Sequence, residues 1–302
     1  MNGRLGWLGI ALCASLALVT AASAAGRFFS RASSVLAYSA SYDIWLVDLS
    51  RGVTRQFTRD GSRFLDDSPS WSPDGMRLAF TTVRSFPFNP NLPNGEIAVM
   101  NVDGSDFRLL TRERSWDDDP SWSPDGRMIA FRSNRDTDSG VAIYLLDFDA
   151  PFIPPRQLLQ DRLRSDLAPS WSLDATRLIL HLTVDGAMQV ASVDARTGEV
   201  SILLPRTAYD PRVAPDGERV AMWLPAFEGF SLAIGRMGEP PSPMSENHMN
   251  PAPYAWSPDS SLIAFASTQD ARSVVKLMDT VTGATTVAFF SPARVSGIAW
   301  RP

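Results

Sequence analysis

The heptamer Pro-Ser-Trp-Ser-Pro-Asp-Gly stands at residues 69–75 and again, letter for letter, at 120–126. A segment repeated at a fixed period marks stacked copies of one supersecondary unit, which narrows the choice of fold more than composition can. Aligning on the tryptophan brings out further copies. Trp71, Trp122, Trp171 and Trp256 hold the position, Val213 replaces it in "PRVAPDG", and a last copy, "GIAWRP", reaches Trp300. Successive spacings are 51, 49, 42, 43 and 44 residues, a period that suits a four-stranded propeller blade.

Each unit reads as β-structure. Ser-Pro-Asp-Gly is a type I turn in sequence form: serine at the first corner, proline with φ already fixed, then aspartate, then a glycine free to take φ > 0. An apolar second strand follows, as in "MRLAF" (76–80), "RMIAF" (127–131), "TRLIL" (176–180), "ERVAM" (218–222) and "SLIAF" (261–265). Third strands read from "EIAVMNVDG" (96–104), "VAIYLLD" (141–147), "MQVASVD" (188–194), "FSLAIG" (230–235) and "VVKLMD" (274–279), and fourth strands from "FRLLT" (107–111), "RQLL" (156–159) and "VSILL" (200–204). No helix-length apolar period interrupts them.

The two ends complete the count. "VLAY" (35–38), "YDIWLVD" (42–48) and "TRQFT" (54–58) are strands two, three and four of a unit without its first, and "VSGIAWRP" (295–302) supplies a lone first strand. Five internal units and this shared one predict an all-β fold: a six-bladed β-propeller of four-stranded antiparallel blades, closed by pairing the C-terminal strand with the N-terminal strands. Closure of this kind leaves no open edge strand at the seam. The turns decay along the chain. Leu173 and Ala175 replace proline and glycine in the third internal unit, Val213-Ala214 replace Trp-Ser in the fourth, and Ser260 replaces glycine in the fifth, so the later blades are expected to be less regular.

Residues 1–26 differ from the rest. One positive charge at Arg4, an apolar run from Leu5 to Val19 and small residues ending in Ala22-Ser23-Ala24 give the layout of a secretory signal peptide. With no charge between Arg4 and Arg27, an uncleaved N-terminal membrane anchor is the rival reading. The division expected is residues 1–26 as signal or anchor and residues 27–302 as propeller, exported in either case. Cys13, the only cysteine, lies within the apolar run, so no disulfide supports the propeller. With 28 Lys+Arg against 33 Asp+Glu and a net charge of −5, the chain lacks the basic excess of a nucleic-acid binder.

The pattern D-x-P-S-W-S-P-D-G, a spacer, I-A-F, then I-(Y/W)-(L/V)-(L/V)-D and R-x-L-T resembles the β-propeller repeat of the TolB family, a WD40-like repeat. The nearest copies are Asp67–Phe80 and Asp118–Phe131, with "DIWLVDLSRGVTRQFT" (43–58) matching the later half of the unit. The resemblance covers residues 33–302. It implies a periplasmic or secreted propeller that presents loops to a partner, as TolB does to the peptidoglycan-associated lipoprotein. TolB carries an α/β domain before its propeller, whereas here the first strand follows closely on the export signal.

Related propellers also gate prolyl-oligopeptidase-type peptidases, but the chain has no G-x-S-x-G and would need a catalytic domain beyond Pro302. His181 and His248 share no metal-ligand spacing, and no phosphate-binding loop follows a strand into a helix. His181 is expected to pack at a strand end, and His248 to sit exposed in a loop. No catalytic residue, cofactor or metal is implied.

One polar constellation recurs, in the loops that lead into the first strands: "TRDGSRFLDDSPSW", "TRERSWDDDPSW", "LQDRLRSDLAPSW" and "LPRTAYDPRV". In a closed ring these loops converge on one face around the channel. They bring together Asp66, Asp67, Asp117, Asp118, Asp119, Asp166 and Asp210, with Arg59, Arg63, Arg112, Arg114, Arg162, Arg164 and Arg206 beside them. Asp67, Asp118, Asp119, Asp166 and Asp210 are the candidate binding residues, either as an acidic mouth for a cation or basic peptide or as turn-capping acids paired with the loop arginines. "RSFPFNPNLPNGE" (84–96) and "DFDAPFIPPRQ" (147–157) lengthen two connections with aromatic and proline residues, giving either a stiff contact surface or an ordinary packed insertion. "MGEPPSPMSENHMNPAP" (237–253) stands where a fourth strand would be and reads as a loop or irregular edge.

The function expected is a protein–protein interaction or scaffold module in the bacterial cell envelope, with an envelope protein or peptide as partner. It would have no nucleic-acid partner, and it would touch a membrane only through an uncleaved N-terminal anchor. The alternatives are a hydrolase or lyase with its site in the central channel, and a sugar- or peptide-binding sensor subunit.

Overall fold

The structure, a computed structural model, describes residues 33–59, 65–86, 89–135, 140–159, 168–184, 187–244 and 248–302. The N-terminal segment 1–26 lies outside the described residues, as do Asp166, Arg63, Arg162 and Arg164.

Six four-stranded antiparallel sheets follow one another along the chain. Blade 1 joins the two ends: Val295–Trp300 pairs with Val35–Ala40, which pairs with Asp43–Asp48 and then Val53–Gln56. Blades 2 to 6 begin with Leu65–Trp71, Asp117–Trp122, Ser170–Trp171, Tyr209–Val213 and Tyr254–Trp256, each at one edge of its sheet. These first strands touch their counterparts in adjacent blades, and Tyr254–Trp256 meets Val295–Trp300 to bring the last internal blade against the seam. The predicted fold class and its closure are both borne out.

The ring holds because every blade buries both faces. Six apolar clusters lie between consecutive blades. One joins Ala37, Ile44 and Leu46 of blade 1 to Trp71, Leu78 and Phe80 of blade 2. Another joins Leu277 and Phe289 of blade 6 to Tyr38, Ile298 and Trp300 of blade 1. The repeated tryptophan sits in these clusters and uses its polar edge across the same boundary. Trp71, Trp171 and Trp256 donate Nε1–H to the carbonyls of Ala299, Ser121 and Arg212, each on the first strand of the preceding blade, at 3.3, 3.0 and 3.0 Å. A buried indole gains from such an acceptor. For these three the first strand of the preceding blade supplies it, whereas the buried Trp122 indole has none among the described residues.

The turn residues act as their types suggest. Ser72 Oγ donates to Asp74 Oδ1 at 2.5 Å and accepts from the Arg77 amide at 2.9 Å, while the Gly75 amide closes the turn on the Ser72 carbonyl at 2.8 Å. Gly75, Gly126 and Gly217 take φ of 64°, 74° and 75°, and Ala175 and Ser260 hold the same left-handed place at 58° and 59°. The left-handed region costs an alanine roughly 1–2 kcal/mol that glycine escapes, less the greater freedom glycine loses on folding. Ala175→Gly is therefore expected to stabilise the chain by about 0.5–1 kcal/mol, read as a higher urea midpoint at unchanged slope. A lower midpoint would contradict this.

Regularity declines along the chain in the first strands, from Leu65–Trp71 and Asp117–Trp122 to Ser170–Trp171 and Tyr254–Trp256, but not in the fourth. The fourth strands of blades 2, 3 and 5 are only two residues each (Arg108–Leu109, Arg156–Gln157 and Ser242–Pro243), whereas blade 6 ends on the seven-residue Thr285–Ser291. Turn decay leaves the turn itself intact because Ala175 and Ser260 keep the left-handed backbone of the glycines they replace. The long connection after Phe80 is a continuation of its strands: Arg77–Phe86 and Asn89–Asn101 stay paired out to Phe86↔Asn89, forming a two-stranded arm. In the second long connection Phe152 and Ile153 are 97% and 63% exposed. His181 is buried beside Tyr209, packed as expected, but Arg177–Val184 carries it in mid-strand rather than at a strand end. His248 departs from expectation. Its backbone bridges Phe230, and its ring stands edge-on to Trp223 and Phe265 at 5.1 and 5.5 Å, because the segment after blade 5 folds back over the next interface.

Candidate functional site

Three of the first strands break register at the same place: between Asp67 and Ser70, between Asp118 and Ser121, and between Tyr209 and Arg212. The cause lies in the residue before each proline. Ser68, Asp119 and Asp210 have φ of 51°, 51° and 49°, and Pro69, Pro120 and Pro211 follow with no amide to give to the ladder. A bulge at this point re-aims the adjoining side chains, and Asp and Ser tolerate the left-handed region better than bulkier residues.

The bulges sort the acids into two sets. Asp66 and Asp117, the first of each Asp-Asp pair, are 1% and 0% exposed. Asp118 and Asp119 stay partly accessible, with 17% and 23% of their side chains exposed. Arg132, directly opposite Asp118 in the pairing register, donates Nε to Oδ1 and Nη2 to Oδ2, both at 2.8 Å, and its Nε lies 3.3 Å from Asp119 Oδ2. Ser68 Oγ donates to Asp119 Oδ1 across the blade boundary at 2.6 Å, and the Asp119 amide donates to Thr81 Oγ1 at 3.1 Å. Trp116 Nε1 donates to Asp118 Oδ2 at 2.9 Å.

Asp210, on blade 5, receives Arg212 Nε at 3.1 Å on both carboxylate oxygens. The Arg212 guanidinium lies 5.2 Å from the centroid of the Tyr254 ring, whose hydroxyl donates to the Asp210 and Ala221 carbonyls. Burial raises the Asp119 carboxyl above the usual range, Arg132 opposes the shift, and the charges of Asp118 and, from two blades away, Asp210 add to it. Burial disfavours the charged form of Arg212, but Asp210 foremost, with Asp119 adding, outweighs this and raises its pKa. The charges of Asp119 and of the Asp210–Arg212 pair thus act on one another across the ring. Asp67 accepts the Ser68 amide at 2.6 Å beside the seam, where Gly297 comes so close that a Cβ would lie 3.0 Å from Asp67 Oδ1 and 2.8 Å from Pro69 Cδ.

Four of the five candidate residues thus have a described place. Asp118 and Asp119 share one cluster, Asp210 reaches it through its field, and Asp67 adjoins it through Ser68. Their partners differ from those expected. Arg59, Arg112, Arg114 and Arg206 are exposed and join no ion pair among the described residues, while Arg132, Arg135 and Arg212 hold the acids.

Behind the mouth, between blades 2 and 3, a second polar group went unread. Asp117 Oδ2 pairs with Arg135 Nη2, and Thr111 Oγ1 accepts the Ile97 amide and donates to Glu96. Burial raises Asp117 above the usual range and pushes Glu96 up to about 7. Among the described residues no three His, Cys, Asp or Glu side chains converge as a metal-binding group.

No protein-family model matches the chain. Among curated proteins, a TolB homologue of Chlorobium luteolum is 32% identical over 152 residues, which is 49% of this chain and 30% of that protein. The matched region is thus less than a third of the relative's length. Among solved structures, TolB from Acinetobacter baumannii superposes with a TM-score of 0.74 at 18% identity, over 100% of this chain and 75% of that one. A putative TolB from Agrobacterium tumefaciens gives 0.67 at 19%, over 90% and 94%. Enzymes share the ring at lower similarity, as in an oligogalacturonate lyase at 0.55 and 14%, over 85% of this chain and 72% of the lyase. The chain is a TolB-like six-bladed β-propeller.

Proposed function

We propose that the chain is a non-catalytic binding propeller of the bacterial cell envelope, exported by its N-terminal segment, which offers its channel mouth to a protein or peptide partner. One observation carries this reading: the Asp118–Arg132–Asp119–Ser68 cluster fixes two adjacent carboxylates in place. Asp118 is gripped on both oxygens, and the two side chains keep 17% and 23% of their surface accessible. Acids held this way present free lone pairs in a preset direction, which suits recognition of an arginine, a lysine or peptide amides. Asp118 has both oxygens engaged by Arg132 and one also by Trp116, an arrangement built for holding rather than for proton transfer. The likeness to TolB, and the layout of residues 1–26, support the envelope location.

The test is capture from a detergent-solubilised envelope fraction by the full chain and by an Asp118→Asn/Asp119→Asn variant, with thermal unfolding as the control for folding. A charge-assisted hydrogen bond contributes about 1.5–3 kcal/mol, so the variant is expected to bind its partner at least about tenfold more weakly. Equal capture by a folded variant would remove the channel mouth from the function.

A further inference from the structure

A cavity of 1040 Å³ lies against blade 6, bordered by segment 248–253, the hairpin between Leu262–Gln269 and Arg272–Asp279, and segment 291–295. The chain as a whole is acidic, yet among the described residues the charged side chains lining this cavity are Arg272, Lys276 and Arg294, with no Asp or Glu. None of the three makes an ion pair among the described residues.

Lys276 is the only lysine in the sequence, and its register position makes it stand out further. It pairs with Phe265 in the middle of its blade. The same place, opposite the last residue of each I-A-F-type strand, holds Trp45, Ala98, Tyr144, Ala191 and Ala233 in the other five blades. Four of those five are between 0% and 1% exposed. Lys276 is half-buried there, so its ammonium gives up part of its water and gains from an anion placed beside it. Blade 6 opens at this point into a cavity edged by two more cations and by the Ser267 and Thr268 hydroxyls.

The geometry points to a second binding site, distinct from the channel mouth, for a small polyanion carrying at least two carboxylate or phosphate groups. Its size matches the roughly 300–1,000 Å³ of small-molecule pockets. Guanidinium forks on Arg272 and Arg294 suit bidentate contact with either anion, and Lys276 supplies a compact point charge at the inner wall. The hydroxyls of Ser267 and Thr268 remain for neutral oxygens of the same molecule.

The experiment titrates the full chain with citrate, with tripolyphosphate and with uncharged glucose at low ionic strength, by calorimetry. Reductive methylation of the single lysine, read by mass spectrometry, runs alongside. Submillimolar binding of at least one anion and none of glucose is expected, weakened about tenfold or more in 0.5 M salt and about fivefold or more by either Lys276→Gln or Arg294→Gln. Saturating anion should slow methylation of Lys276, a readout that needs no variant. Binding of citrate alone assigns carboxylate, and binding of tripolyphosphate alone assigns phosphate. Binding that persists in Asp118→Asn/Asp119→Asn separates this site from the mouth. Absence of both heat and protection with either anion, or affinity unchanged in the Lys276→Gln/Arg294→Gln variant, would overturn the proposal.

Discussion

Removing residues 295–302 is expected to leave a chain that neither unfolds in one cooperative transition nor stays monomeric. The strand Val295–Trp300 carries three buried apolar side chains, Val295, Ile298 and Trp300, which are 2%, 3% and 6% exposed. Truncating such residues costs about 2–5 kcal/mol each, so losing all three rivals the roughly 5–15 kcal/mol that keeps a domain folded. The tail also ties three blades together. Trp300 packs against blade 6, pairs with Leu36 and donates Nε1–H to the Ser33 carbonyl at 2.6 Å. Arg301 reaches blade 2, where its Nε donates to the Gly75 carbonyl at 2.9 Å and its guanidinium lies 5.6 Å from the Trp71 ring centroid. Without the tail, Val35–Ala40 becomes an exposed edge with unpaired amides and carbonyls, a template for other chains. Light scattering should show oligomers and calorimetry a broadened transition. The milder Trp300→Ala should keep a monomer and lose about 3–5 kcal/mol. A truncated chain that remains monomeric with the parent melting temperature would show that the ring does not depend on its seam.

That seam was legible because its signals are local. Tryptophan, proline and glycine recur in fixed order, and each acts within a few residues of itself, so counting copies sufficed to give six blades and the shared one. The mouth was legible only in part. Adjacent aspartates announce a polar site, but which of them stays accessible is decided by a left-handed residue before a proline, and a one-residue shift exchanges the faces of a strand. Asp117 went inward and Asp118 outward for that reason. The arginine partners were misread because pairing follows register across the hairpin rather than nearness in the loop: Asp118 lies opposite Arg132 and Asp117 opposite Ser133. Arg212 did carry a signal, since it takes the serine position of Pro-Ser-Trp. Glu96 and Thr111 carried none until the end of one strand was seen folding over the start of another.

Glu96 is the source of the second large effect, a dependence of stability on pH. The side chain is 4% exposed between blades 2 and 3, accepting from Asn94 Nδ2 at 2.8 Å on one oxygen and from Thr111 Oγ1 at 2.7 Å on the other. Burial, with the charge of Asp117 adding, pushes its pKa from 4.5 to about 7. Between those two values the folded chain holds a proton that the unfolded chain has released, so stability falls as pH rises through the window. A shift of that size corresponds to about 3 kcal/mol in full, of which about 2–3 kcal/mol falls between pH 5 and 8. Asp117 and Asp119, also raised, add to the same trend. The turn acids oppose it at lower pH. Ser72 and Ser172 hold Asp74 and Asp174 below the ordinary carboxylate value, so what these contribute is present above about pH 4 and lost beneath it. A stability maximum near pH 5 is therefore expected, with a decline of about 2–3 kcal/mol by pH 8 in urea unfolding. Glu96→Gln keeps the shape, can still accept from Asn94, and leaves Thr111 free to donate to Asp117. The variant should match the parent at pH 4.5, exceed its stability at pH 8 by about 2 kcal/mol or more, and show a flatter profile. A parent profile level from pH 5 to 8, or a variant that tracks the parent, would mean that Glu96 is ionised in the fold and that the buried arginine beside Asp117 compensates both acids.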